Sequence, residues 1–171
     1  MEPASKNVDT QNDTGVMIQK VGFGELNRLN KLFIQSIDDG FGYFDDSFKK
    51  TLAKQHNLPR LAKAYLSPKA SLFIAKQGSQ IDELQAYCFV RQDGLIAYLY
   101  WMYVQPSVRG TGLGTRLLDS AMDEARRRNV DSLQLITHDK EAFYQRAGFV
   151  PIRHVSGLLG GADMVMMEYR F

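Results

Sequence analysis

The chain has 171 residues, 44% hydrophobic and 23% charged, with 21 basic and 19 acidic side chains giving a formal net charge of +2. That length suits one domain with a single core and no metal or disulfide staple, and no apolar run approaches the ~20 residues of a membrane helix. Near-neutrality gives little pull toward nucleic acid or anionic membrane, and a single cysteine, Cys88, excludes an intrachain disulfide. The polar opening lacks the apolar centre of a secretory signal, so residues 1–15 read as a disordered tail, residues 16–171 as the domain and the cytoplasm as the compartment.

Val16 to Val21 alternates apolar and polar residues as an edge strand does, and Glu25 to Ile37 repeats Leu26, Leu29, Leu32 and Phe33 at helical spacing. The segment from Asp38 to Ser47 breaks that pattern with turn residues, and Ser47 or Asp46 is the candidate cap for a second helix running toward Tyr65, broken or restarted at Pro59. Ser71 to Lys76, Asp82 to Gln92 and Leu95 to Val104 follow as an antiparallel meander, its turns at residues 77–80 and at Asp93-Gly94. Cys88 sits on an alternating strand as a buried structural thiol. The last of the three strands is apolar from Ile96 to Val104, which predicts a central strand covered on both faces.

Gly112 to Arg128 carries Leu113, Leu117, Leu118, Ala121, Met122 and Ala125 along one helical stripe, and the basic run Arg126 to Arg128 reads as its solvated C-terminal end. Asp131 to Thr137 is then a strand and Lys140 to Arg146 a short helix; Phe149 to Val155 and Met164 to Arg170 form a closing pair. The order, with a parallel crossover around the glycine turn, predicts a mixed α/β sheet with helices on both faces.

Between the central strand and the long helix the chain reads Arg109-Gly110-Thr111-Gly112-Leu113-Gly114-Thr115. A helix leaves its first N–H groups unpaired at the positive end of its dipole, so a pyrophosphate can bind there if no side chain obstructs it. Gly110, Gly112 and Gly114 keep the approach open, and Arg109 can add a charged fork. Gly114-Thr115-Arg116 lacks the Gly-Lys-Ser/Thr of a P-loop, and Thr115 stands where a dinucleotide fingerprint needs a small residue. The plainer alternative, glycines that only satisfy turn geometry, stays open on these residues.

The segment from Arg109 to Gly114, after an apolar strand, resembles the Arg/Gln-x-x-Gly-x-Gly/Ala pattern of the GNAT superfamily of N-acetyltransferases. About thirty residues on, Glu141 to Phe149, with Phe143-Tyr144 and Gly148-Phe149, is similar to the superfamily's second hallmark. The resemblance implies one α/β domain with a mostly antiparallel sheet whose fourth and fifth strands are parallel and splayed. It implies acetyl-coenzyme A as acetyl donor with no metal, and direct attack by a primary amine of a small molecule or peptide. Main-chain groups of Met102 and Val104 would meet the pantetheine arm, Arg109, Gly110, Thr111, Gly112, Leu113, Gly114 and Thr115 the pyrophosphate, and Tyr144 would protonate the departing thiolate.

The fourth strand lacks the acidic residue some members use as base, and the asparagine common before the short helix is missing; Asp139 is the candidate cap there. His138 is the best-placed alternative base, ahead of His56 and His154. Asp38, Asp39, Asp45 and Asp46, interleaved with Phe41, Tyr43 and Phe44, could hold a cationic acceptor or merely cap helices. A site for longer acyl chains and a silent coenzyme A sensor remain as alternatives. Dimers are frequent among similar proteins, so a homodimer is the partner expectation, though no patch assigns its interface.

Overall fold

In the computed structural model, which describes residues 15–40, 42, 44–77, 83–157 and 161–171, the strands form one seven-membered sheet. β1 (Val16–Lys20) is an edge strand, followed across the sheet by β2 (Ala70–Gln77), β3 (Leu84–Asp93) and β4 (Ile96–Val104), each antiparallel to the last. β4 pairs in parallel with β5 (Ser132–Thr137); β7 (Ala162–Arg170) pairs antiparallel with β5, and β6 (Val150–Gly157) closes the far edge against β7. Residues 1–14 of the expected tail, Phe41, Tyr43 and most of the links at 77–82 and 157–161 lie outside the described residues.

Period-two alternation sends side chains of the same strands into two cores. Phe73, Cys88, Val90, Leu99 and Leu133 face α4 (Leu113–Arg127), whose apolar stripe is buried as its spacing predicts. Tyr87, Leu72 and Ile74 face α1 (Leu26–Gly40), α2 (Asp46–Gln55) and α3 (Leu58–Tyr65) through Leu29, Phe33, Leu52 and Leu61. Each fully buried Leu or Phe contributes roughly 1.5–3 kcal/mol, so the two layers clamp the sheet from both sides. Cys88 is completely buried, and burial pushes its thiol pKa well up, which makes it inert.

Several local expectations are corrected. α1 does not stop at Ile37 but continues through Asp38 and Asp39 to Gly40, and in this added turn Asp39 accepts from the Tyr103 hydroxyl at 2.8 Å. The cap of α2 is neither Ser47 nor Asp46 but Asp45, whose carboxylate accepts from the Phe48 N–H at 2.7 Å. Pro59 restarts rather than breaks the helical region, in the first turn of α3 behind the Asn57 cap.

The Arg126 to Arg128 run is not a merely solvated helix end. Arg126 pairs with Asp123 and lies over the Tyr169 and Phe171 rings, while Arg127 and Arg128 converge with Lys20 and the Ser71 hydroxyl on the buried Glu124 carboxylate. Arg128 also donates to the carbonyls of Pro68 and Ala70. That carboxylate therefore ties the C-terminal end of α4 to β1 and β2, and its burial is tolerable because it is fully paired.

Candidate active site

Pairing between β4 and β5 runs from Ile96 opposite Ser132 to Leu99 opposite Leu135 and stops there, although both strands continue. At the same level the β3 to β4 register slips: Phe89 faces Trp101 and Val90 faces Leu99, leaving Tyr100 as a bulged extra residue. The strands separate beyond this point, and the gap is a cavity of about 790 Å³ running from the start of α4 to Gly40 and Phe44. β4 is therefore not covered on both faces; the Tyr100 ring is 55% exposed.

The glycine turn forms one end of the cavity. Gly110 and Gly112 have φ of +79° and +83°, which glycine adopts without a Cβ penalty, and an added Cβ at either would meet nothing within 4 Å. Gly112 caps α4, and the N–H groups of the following turn have no carbonyl one turn back to bond. Met102, Val104, Arg109, Gly110, Gly112, Gly114 and Thr115 all border the cavity. Thr111 and Leu113 do not: the Thr111 hydroxyl donates to the Val108 carbonyl at 2.8 Å, and Leu113 is buried in the core. Arg109 is turned back over the Tyr103 ring, its Nε donating to the Val104 carbonyl at 3.0 Å, so one lone pair of that carbonyl is already engaged.

Across the gap, α5 (Glu141–Arg146) brings Phe143 and Tyr144 to the cavity. Tyr144 packs edge-on between Phe143 and Phe149, with its hydroxyl 4.0 Å from the Met102 sulfur. Burial, reinforced by Cys88 and Asp139, raises its pKa well above the ordinary phenol value. Gly148 earns its place by space as well as conformation, since its φ is +92° and an added Cβ would come within 3.1 Å of the Tyr169 ring. The expected Asp139 cap is absent. The Thr137 hydroxyl instead accepts from the Lys140 N–H at 3.1 Å, and Asp139 pairs with the Lys140 ammonium.

His138 borders the cavity, and its Nδ1 lies 2.8 Å from the Asp163 carbonyl. A carbonyl only accepts, so Nδ1 carries the proton in that bond and the neutral ring holds its lone pair on Nε2. His56 is remote from the turn: Nε2 accepts from the Trp101 indole at 3.0 Å, Nδ1 bonds the Leu52 carbonyl, and burial lowers its pKa. His154 is exposed on the edge strand β6. Of the acidic segment, Asp45 is used as a cap, while Asp39 accepts from the Tyr103 hydroxyl at 2.8 Å beside Gly40.

Sequence reasoning missed the aromatic wall formed by Tyr98, Tyr100, Trp101 and Tyr103. Its signal was present: aromatics at 98 and 100, then 101 and 103, change phase between 100 and 101, which is what an inserted residue does to a strand. The Tyr103 to Asp39 bond carried no local signal.

The sequence profile of the acetyltransferase (GNAT) domain matches residues 68–151. Over that stretch the chain carries a GNAT acetyltransferase domain. It is 29% identical over 124 residues to the acetyltransferase Atu2258 of Agrobacterium fabrum, an alignment covering 64% of this chain and 90% of that one. Among solved structures, PaiA N-acetyltransferase from Thermoplasma acidophilum in complex with coenzyme A superposes with a TM-score of 0.75 at 16% identity, over 91% of this chain and 99% of that chain. The ribosomal-protein-S18-alanine N-acetyltransferase of Escherichia coli gives a TM-score of 0.64 at 19% identity, over 91% and 93%. The matched domain and the Agrobacterium relative are both acetyltransferases, and the chain is an acyltransferase of that kind. Among the described residues, no helix is long and apolar enough to cross a membrane, and no cluster of three or more His, Cys, Asp or Glu side chains is arranged to hold a metal ion.

Proposed function

We propose that the protein transfers an acetyl group from acetyl-coenzyme A to a primary amine that enters from the α1 to α3 side of the sheet. The observation that carries this reading is one cavity joining the open glycine turn at α4 to Tyr144, His138, Tyr103 and Gly40. The residues present suit the donor: α4 directs unpaired N–H groups into a hollow that an added Cβ at Gly110 or Gly112 would begin to fill. Bound there, the thioester supplies an activated acyl carbon, which is why no cysteine or serine nucleophile is needed.

Gly110, Gly112, Gly114 and Thr115 would hold the diphosphate on main-chain atoms, and Arg109 would join them by rotating off the Val104 carbonyl. Main-chain groups of Met102 and Val104 align the arm along the open edge of β4. Tyr144 Oη keeps its proton at working pH and is the group placed to protonate a leaving thiolate. His138 Nε2 takes a proton from the acceptor ammonium, which must be lost before nitrogen becomes nucleophilic.

The C-terminal end of α1 and Asp39 present negative charge on the acceptor side, opposite the positive N-terminal end of α4. Two helix ends of opposite sign thus bracket the cavity, one suited to the donor's phosphates and the other to an ammonium. The experiment is to incubate the protein with acetyl-coenzyme A and a panel of free amines, polyamines, amino acids, aminoglycosides and peptide N-termini, and to measure thiol release. Amine-dependent release is expected; binding of the donor without release to any amine returns the chain to a sensing role.

A further inference from the structure

Beside the main cavity lies a second one of about 240 Å³, bordered by α2, α3, β2, β3 and β4, and Tyr100 and Trp101 line both. Its floor is apolar, from Phe89, Leu61 and Leu72, and no carboxylate lines it. Two arginines do. Arg60 comes from the first turn of α3, and Arg91 follows Tyr87 and Phe89 at two-residue spacing on the same face of β3. Both are exposed, and neither makes an ion pair among the described residues. Arg128 and Arg170, by contrast, are each committed to a carboxylate.

The wall between the two cavities is held in place. Trp101 donates its indole N–H to His56 and meets the Phe33 ring edge-on, while Phe33 stacks on His56 at 4.7 Å between centroids. His56 spends Nδ1–H on the Leu52 carbonyl and its Nε2 lone pair on Trp101, so both ring nitrogens are engaged in fixing that wall. The bulge at Tyr100 turns its neighbouring ring outward along the same path.

Building on the acyl-transfer reading above, we propose that this second cavity is an acceptor subsite for a carboxylate, so that the preferred acceptor is an amine with a carboxylate at the far end of an apolar or aromatic spacer. The ammonium lies at the Tyr103 and Gly40 end of the main cavity, where Asp39 backs the Tyr103 hydroxyl, the spacer crosses Trp101 and Tyr100, and the carboxylate meets Arg60 and Arg91. Tyr103 stands five residues along β4 from Tyr98, the register partner of Arg91, which sets a spacing of roughly 16 Å between the charges. Guanidinium forks over an apolar floor are suited to a planar carboxylate, and the opposite polarity at the other end fixes the direction of entry.

The test compares an ω-amino carboxylate about thirteen carbons long with its primary amide as acceptors, by kcat/KM from thiol release. The carboxylate is expected to be used roughly tenfold better than the amide. In the double variant Arg60→Gln/Arg91→Gln the ratio falls to near one through a higher KM for the carboxylate, and Arg60→Lys/Arg91→Lys restores part of it. An independent readout is thermal denaturation: the carboxylate raises the midpoint of the wild-type protein and not that of the Gln double variant. Equal use of both amines overturns this inference while leaving acyl transfer intact, as does a preference that survives the Gln double variant. Acetylation of neither amine, with no thermal shift from the carboxylate, also overturns it. Failure of coenzyme A itself to bind in calorimetry removes the reading beneath.

Discussion

In the proposed reaction Tyr144 is the proton donor. Packed between Phe143 and Phe149, its phenol is costly to ionise, so it keeps its proton. Tyr144→Phe is expected to lower kcat by about 100-fold while changing coenzyme A affinity less than about twofold, measured by steady-state kinetics and calorimetry. Equal turnover would remove its acid role. His138 is held by its Nδ1 bond to the Asp163 carbonyl, so the neutral ring carries its proton on Nδ1. If it is the base, His138→Ala should lower kcat by about 100-fold in steady-state kinetics with coenzyme A affinity little changed, and equal turnover would exclude it. The placement of both residues beside the cavity was legible because a local motif or a strand end marks them. The bonds from Tyr103 to Asp39 and from Trp101 to His56 were not, since they join residues 64 and 45 positions apart.

At the scale of elements, the start of α4 and the start of α2 show two uses of a helix end. Gly112 caps α4 with no side chain and leaves its first N–H groups toward the cavity; Asp45 caps α2 and consumes the Phe48 N–H. Gly112→Glu should weaken coenzyme A binding more than roughly tenfold by adding bulk and negative charge, with Gly112→Ala as the control for backbone strain at positive φ. Calorimetry on the folded variants checks this, and equal losses in both would assign the effect to strain. Asp45→Ala should cost about 1 kcal/mol in urea denaturation and leave the acceptor KM unchanged, because the carboxylate serves α2 rather than the acceptor. The existence of these helices followed from periodicity and turn residues. Their ends followed less directly: the last turn of α1 is tied through Asp39 to Tyr103, far along the chain, and in the run Asp45-Asp46-Ser47 three residues could each cap α2, of which Asp45 does.

Over the whole molecule, the sheet is clamped between two cores, and His56 belongs to the one beneath α1. Burial lowers its pKa below the ordinary 6.5, so the folded state binds its proton later than the unfolded chain does. The associated stability is fully present above the unfolded value and is lost as pH falls through it toward the folded value. Urea denaturation at mildly acidic and neutral pH should show this loss, and His56→Gln should reduce it; an identical pH dependence in the variant would place the sensitivity elsewhere.

Order of elements, the two-layered sheet, the anion-ready start of α4 and the hallmark tyrosine were set within short windows, where helical and strand periods, caps and glycines act on neighbouring residues. Where β4 and β5 part, which way Arg109 turns, what holds Trp101 and which arginines stay unpaired were decided by packing between segments far apart in the chain. Those outcomes depend on side chains competing for the same space and the same hydrogen-bond partners, a contest that exists only after the sheet has closed between its helices.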